Sequence, residues 1–160
     1  MNEEEFQKLK DLAELFRRLN KKVKLLSLLR RAKYEYQQNN YEECQKSCEE
    51  VLVFDPKNSV ALRGLGCVMQ SLGHYEEAVN YYNKALENSQ NKEIEYTLIG
   101  SVYYIQDNLD EAIKYYNLAI DINDNYDPAY DGRNQSMLEN HLKIVDLQDE
   151  LIKREFKNSN

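Results

Sequence analysis

The residues best suited to chemistry are three cysteines, Cys44, Cys48 and Cys67, two histidines, His74 and His141, and a recurring set of acid pairs. An odd cysteine count, with no secretion signal ahead of it, argues against a disulfide framework. Cys44 and Cys48 stand four apart, so on a helix they share a face. A zinc site would need two further ligands, and His74 and His141 offer no recognised spacing. The thiols are expected to be reduced core groups, with no metal and no cofactor. The acid pairs Glu42-Glu43, Glu76-Glu77 and Asp110-Glu111 return at a constant step, as helix first-turn charges facing the positive dipole end would. No Gly-rich phosphate loop and no serine nucleophile motif is present, and the two histidines stand in ordinary surroundings. The expectation is a protein that is not an enzyme.

The elements that would carry these residues are helices. Among 160 residues there are only two prolines and five glycines, which leaves little room for hairpins. Hydrophobic residues make up 42% and charged residues 31%, as in a folded chain with a continuous core. A net charge of −7 disfavours nucleic-acid binding, which needs clustered Lys and Arg. The charge is uneven, however. From Arg17 through Arg18, Lys21, Lys22, Lys24, Arg30 and Arg31 to Lys33 there is no acid. This run reads as a solvated helix junction or, more sharply, as a docking patch for an acidic segment. No apolar run approaches the roughly 20 residues that span a bilayer. The start MNEEEF lacks the basic-then-apolar order of a signal peptide, so no membrane insertion and a cytoplasmic location are expected.

The stretch LRGLGCVMQSLGHYEEAVNYYNKAL, Leu62 to Leu86, sets the frame. Stepping 34 residues downstream returns its order in Tyr96, Ile99, Gly100, Tyr103, Leu109, Ala112, Tyr116 and Ala119. Stepping back returns it more loosely in Leu28, Ala32, Tyr41, Cys44, Cys48 and Val51. Each period reads as two antiparallel helices, about 23–38 with 41–54, 59–72 with 75–88, and 93–106 with 109–122. Asn39, Gly73 and Asp107 share the position after each first helix, where left-handed backbone ends a helix. Asn40, His74 and Asn108 follow as N-caps, with Glu43, Glu77 and Glu111 placed to reach back as in a capping box. Ala32, Gly66 and Gly100 form a small column where paired helices cross, and Met69, Tyr103, Tyr82 and Tyr116 fill the space between neighbours. Ahead of the repeats, Phe6, Leu9, Leu12, Leu15, Phe16 and Leu19 stripe a separate amphipathic helix, with Asn20 as a weak break. That stripe either covers the first repeat or pairs with another copy of the chain. After them, Asp127-Pro128 opens a last helix striped by Ala129, Tyr130, Leu138, Leu142, Val145, Leu151, Ile152 and Phe156, with a frayed end beyond.

A 34-residue period with these small, aromatic and alanine positions resembles the tetratricopeptide repeat. The resemblance implies an all-α fold, a right-handed α-solenoid of three helix pairs with an extra N-terminal helix and a C-terminal capping helix. It divides the chain into residues 1–22, three repeats over 23–126 (about 25–58, 59–92 and 93–126), and 127–160. First helices of such stacks line a concave face. The register then places Leu26, Leu29, Lys33, Tyr36, Val60, Arg63, Cys67, Gln70, Ile94, Thr97, Ser101 and Tyr104 in a groove. Its mixed, partly apolar character suits an extended or short helical peptide of a protein partner. Periodicity alone leaves open that Leu29 and Ile94 pack instead against flanking segments. Co-chaperones of the family that grip acidic heat-shock-protein tails use Lys, Asn, Asn, Lys and Arg in five groove columns. Here those columns hold Leu29, Lys33, Gly64, Ile94 and Leu98, so that clamp is not expected. Length, acidity and layout are also similar to the class II chaperones of type III secretion, which hold hydrophobic translocator segments and often dimerise. A homodimer through the N-terminal helix and a structural subunit docking through its terminal helices stay open beside the adaptor reading.

Overall fold

The computed structural model describes residues 3–158, with side-chain surroundings through residue 154. The described residues form seven helices and no strand: α1 (Glu3–Gln37), α2 (Tyr41–Phe54), α3 (Ser59–Ser71), α4 (Tyr75–Leu86), α5 (Lys92–Ile105), α6 (Leu109–Ile122) and α7 (Asp127–Asn158). Consecutive helices pack in pairs, α1 with α2, α3 with α4 and α5 with α6, and each pair packs on the next. The chain is an all-α solenoid of helical repeats, with α7 lying against α5 and α6.

The turns inside the pairs follow the expected chemistry. Asn39, Gly73 and Asp107 have φ of 60°, 80° and 63°. Gly meets no steric cost there, and Asn and Asp tolerate the left-handed region better than other side chains. The N-caps are less uniform. Asn108 accepts from the Glu111 N–H at 3.4 Å, whereas Asn40 and His74 make no side-chain cap bond. The capping boxes do not form among the described contacts. Glu43 is drawn to Arg31 and Lys46 and Glu111 to Lys114, since a cation competes better for a carboxylate than a neutral N–H does, while Glu77 lies 2.9 Å from His74 Nδ1. A further cap, Asn58, accepts from the Ala61 N–H at 3.1 Å.

The helix crossings are close. A Cβ on Gly66 would sit 2.4 Å from the Tyr82 ring, and one on Gly100 2.9 Å from the Tyr116 ring. A Cβ on Gly132 of α7 would likewise sit 2.4 Å from the Tyr116 ring, so that ring lies close against both α5 and α7. One buried cluster joins Leu28, Ala32, Cys44, Cys48, Val51, Ala61, Leu65 and Val68, and a second joins Ala78, Tyr82, Ile99 and Val102. Met69 touches both, as a filler between neighbouring pairs should. Tyr103 stacks on Tyr115 with ring centroids 5.3 Å apart.

Both chain ends differ from expectation. Asn20 does not break the chain, and residues 1–22 do not form a helix of their own; α1 runs unbroken from Glu3 to Gln37. Asn costs a helix interior at most about 0.7 kcal/mol against Ala, too little to stop a helix flanked by Leu19, Lys21 and Lys22. The N-terminal stripe does not cover the first repeat: every side chain from Glu3 to Lys24 is exposed. At the other end α7 buries Ala129 and Ser136, and its Gln135, Asn140 and Lys143 bond Tyr104, Asp110 and Asp107. Beyond Lys143 it leaves the repeats, and Val145, Leu151 and Ile152 of the expected sealing stripe are exposed, as are Leu138 and Leu142 before it. The helix continues to Asn158; of the end expected to fray, Ser159 and Asn160 lie outside the described residues, as does the side chain of Phe156.

Candidate functional site

The site is built where α1, α2 and α3 meet. Amphipathic packing turns Leu28 and Ala32 of α1 toward α2, which leaves Leu29, Lys33 and Tyr36 on the flank facing α3. From α3 come Val60, Arg63, Gly64 and Cys67, and from α2 the side chains of Cys44 and Cys48. With Ala32 at the base these residues line a pocket of about 190 Å³. Gly64 keeps it open: a Cβ there would stand 2.7 Å from Cys48 Sγ. Cavities for whole small molecules run from about 300 Å³ upward, so this one suits one apolar side chain of a larger ligand.

The thiols act as apolar wall. Burial first, and then the neighbouring Cys44, pushes the Cys48 thiol up to about 12. Burial also raises Cys44 and Cys67, although a hydrogen bond with Tyr82 and the Arg63 charge pull Cys67 partly back. All three stay protonated at neutral pH, the wrong state for a nucleophile or a metal ligand. No group of three or more His, Cys, Asp or Glu among the described residues is placed to hold a metal ion. Burial raises the Tyr36 phenol as well, and its hydroxyl shares a 2.9 Å hydrogen bond with Ser71 of α3.

Along the rest of the expected groove residues, polar atoms tie helices to one another. Tyr82 Oη donates to Gln70 Oε1 at 2.8 Å, Gln70 Nε2 donates to Ser101 Oγ at 3.2 Å, and Ser101 Oγ donates to the Leu98 carbonyl at 2.7 Å. Gln135 Nε2 donates to Tyr104 Oη at 2.9 Å, and the Tyr104 phenol is raised first by its hydrogen bond with Glu139. Thr97 Oγ1 donates to the Glu93 carbonyl of its own helix at 2.8 Å, and Ile94 is half-buried. Six of the expected groove residues therefore converge on the pocket: Leu29, Lys33, Tyr36, Val60, Arg63 and Cys67. Gln70 and Ser101 form a polar bridge from α3 to α5, Tyr104 serves the contact with α7, and Leu26 is exposed on α1 outside the pocket wall.

Sequence reasoning missed Glu95. It is fully buried, and its Oε1 accepts from Arg63 Nε at 3.0 Å and Nη2 at 2.8 Å. Its Oε2 accepts from Ser89 Oγ at 3.2 Å. The pair sets the pocket's electrostatics, because it fixes the Arg63 guanidinium at the wall and neutralises it from behind, leaving the Lys33 ammonium as an exposed cation of the lining. A signal was present. Glu95 stands in the column of Ala61 and Ala129, both fully buried, so an acid in that column has to be paired. Gly64, which faces the Cys48 thiol, stands out in the sequence only as a lost clamp position.

Residues 24–91 and residues 96–126 each match a family model described as tetratricopeptide repeat, together more than half of the chain. No curated protein matches the sequence. Among solved structures, the chain is similar to a Thermobaculum terrenum O-GlcNAc transferase (TM-score 0.67, 20% identity, covering 73% of this chain but only 22% of that one). It is similar to the Yersinia enterocolitica type III secretion chaperone SycD in complex with a peptide of the translocator YopD (TM-score 0.64, 21% identity, 72% and 94% covered). It is also similar to the second such domain of human RPAP3 in complex with an HSP70 peptide (TM-score 0.64, 14% identity, 73% and 98% covered). At these identities the likeness is one of fold.

Proposed function

The chain belongs to the tetratricopeptide-repeat family, and we propose that it is a non-catalytic interaction module whose repeats, residues 23–126, bind an extended or short helical peptide of a partner protein along the concave face. The observation that carries this reading is the pocket between α1 and α3, held open by Gly64 and walled by apolar groups and neutral thiols. It would take one apolar anchor side chain, with the exposed Lys33 ammonium beside it for an acidic neighbour of that anchor. SycD and RPAP3, which share the fold, were both solved holding peptides, which supports a peptide as the ligand class. Among the described residues no helix is long and apolar enough to cross a membrane.

The test is a random-peptide display selection against the chain and against Gly64→Val, whose side chain would fill the pocket. Peptides sharing an apolar anchor should bind the wild type and lose about 10- to 150-fold in the variant, the equivalent of one buried side chain at about 1.5–3 kcal/mol. Selected peptides that bind both equally, at an unchanged melting temperature, refute the pocket as the anchor site.

A second reading is favoured by the terminal helices. The exposed stripe of α1 and the exposed end of α7 support a subunit that docks through its ends, with self-association through α1 as the simplest case. A secretion-type chaperone would combine the groove with such a dimer.

A further inference from the structure

Leu9, Leu12, Phe16, Leu19, Val23 and Leu26 follow one another at alternating steps of three and four residues. That is a 3.5-residue repeat, the seam of a left-handed coiled coil, kept over three heptads or about 27 Å of helix. Each of the six is between 51% and 59% exposed. The seam does not belong to the repeats. The side chains by which α1 meets α2, among them Leu25, Leu28 and Ala32, lie roughly 150° around the helix from it, at about 100° per residue. A helix laid along the seam therefore has clear access past α2.

Charge selects the occupant and its direction. The acids of this segment, Glu3, Glu4, Glu5, Asp11 and Glu14, all precede Arg17, and from Arg17 to Lys33 there are only cations. We propose that the seam is filled by the α1 helix of a second copy of this chain, running antiparallel. In the register that pairs Leu9 with the second copy's Leu26, Leu12 with its Val23 and Phe16 with its Leu19, every seam position has an apolar partner. The same register lays Glu4 and Glu5 at the level of Arg31 and Arg30, and Asp11 and Glu14 at the level of Lys24 and Lys21. The acidic half of each helix then runs beside the basic half of the other. A parallel pair would set the cationic run against itself, which long-range repulsion disfavours. The exposed end of α7 is a weaker occupant. Its charges come as one cation, Lys143, then three acids, Asp146, Asp149 and Glu150, then two cations, Lys153 and Arg154; they cancel, and a short acidic block between cations matches neither half of α1 along its length. The two-fold pairing closes on itself, so it yields a dimer and not a filament.

The arrangement rests on the self-association reading, and two measurements on the full chain separate them. Sedimentation equilibrium from micromolar to hundreds of micromolar should show the mass rise from 19.0 kDa toward twice that value, less readily at high salt. Leu12→Glu/Leu19→Glu should hold it at one chain with unchanged thermal unfolding of the repeats, because both side chains are exposed. A wild type monomeric throughout, or a dimer lost in Leu147→Glu but kept in the α1 variant, overturns both the dimer through α1 and its antiparallel form. Direction is read by mild oxidation. Leu12→Cys/Val23→Cys should form a covalent dimer, while Leu12→Cys alone should not, its two copies lying about 16 Å apart along the helix axis. A dimer covalently closed by Leu12→Cys alone keeps self-association but overturns the antiparallel register. The two buried native thiols and the half-buried Cys67 are controlled by oxidising the wild type beside them.

Discussion

Removing the Arg63 side chain should destabilise the chain far more than its partly exposed position suggests. Glu95 is fully buried, and Arg63, 21% exposed, supplies two of the three hydrogen bonds to its carboxylate. With Arg63→Ala the carboxylate keeps only Ser89. Breaking one side of a buried pair costs about 3–5 kcal/mol; solvent already reaches the arginine, so the lower end, about 3 kcal/mol, is expected. Glu95→Ala should cost less, about 1–2 kcal/mol. Ala is the residue at the equivalent positions Ala61 and Ala129, and a freed Arg63 can turn into the groove and be hydrated. The double variant has no stranded charge and should resemble Glu95→Ala, which gives a coupling of about 3 kcal/mol in the cycle. Urea unfolding followed by helical circular dichroism measures all four corners. A chain of this size shifts by about 2–4 °C per kcal/mol, so Arg63→Ala should melt about 6–12 °C below wild type. An Arg63→Ala protein within about 0.5 kcal/mol of wild type, or additive single variants, would show that the carboxylate does not depend on the guanidinium, and the account of the pocket wall would fail with it.

Two further outcomes follow from the crossings between helices. Gly66→Leu should cost on the order of 1–3 kcal/mol through overpacking, because even a Cβ would meet the Tyr82 ring at 2.4 Å; an unchanged melting temperature would remove the crossing. Burial lifts the Tyr116 phenol from 10.0 to about 12, so the fold favours its neutral form; that stabilisation is complete below pH 10 and is lost as pH rises through 12. Stability should thus fall by up to about 2–3 kcal/mol across this window on account of Tyr116, and Tyr116→Phe should show a correspondingly shallower fall when unfolding is measured at pH 9 and pH 12.

Much of the fold is legible in the sequence because its signals are local. Asn39, Gly73 and Asp107 mark turns by what their own backbone tolerates, and the structure ends α1, α3 and α5 within two residues of them. Gly66 and Gly100 are legible because a missing side chain, in step with a tyrosine column on the paired helix, marks the place where a ring lies against backbone. Competition between partners is what sequence does not carry. Glu43 has a capping geometry in sequence, but Arg31 comes within 2.7 Å from the facing helix and takes the carboxylate. Asn20 has the residue type of a stop because Asn favours turns, yet nothing beside it forms one. Of the expected groove, periodicity gives a helix face but not the depth of burial. Leu29 and Leu26 stand on the same helix three residues apart, and only the packing of α3 makes one a pocket wall and leaves the other in solvent.

The distribution of satisfied polar groups narrows what the proposed binding face can recognise. Gln70 and Ser101 bond each other, Tyr104 bonds α7, Tyr36 bonds Ser71 and Arg63 bonds Glu95. A ligand that sought hydrogen bonds from these groups would have to break bonds that hold successive helices in place, so each gain would be offset by a loss of comparable size. The apolar pocket asks no such exchange. It needs only the displacement of water from a wall of Leu29, Tyr36, Val60 and neutral thiols. In the proposed reading selectivity would come from the shape of one anchor side chain and from the exposed Lys33 cation beside it, and the proposed pairing of α1 would bring two such pockets into one assembly. Two weak single-anchor sites, linked in this way, would hold a bivalent partner far more tightly than either does alone.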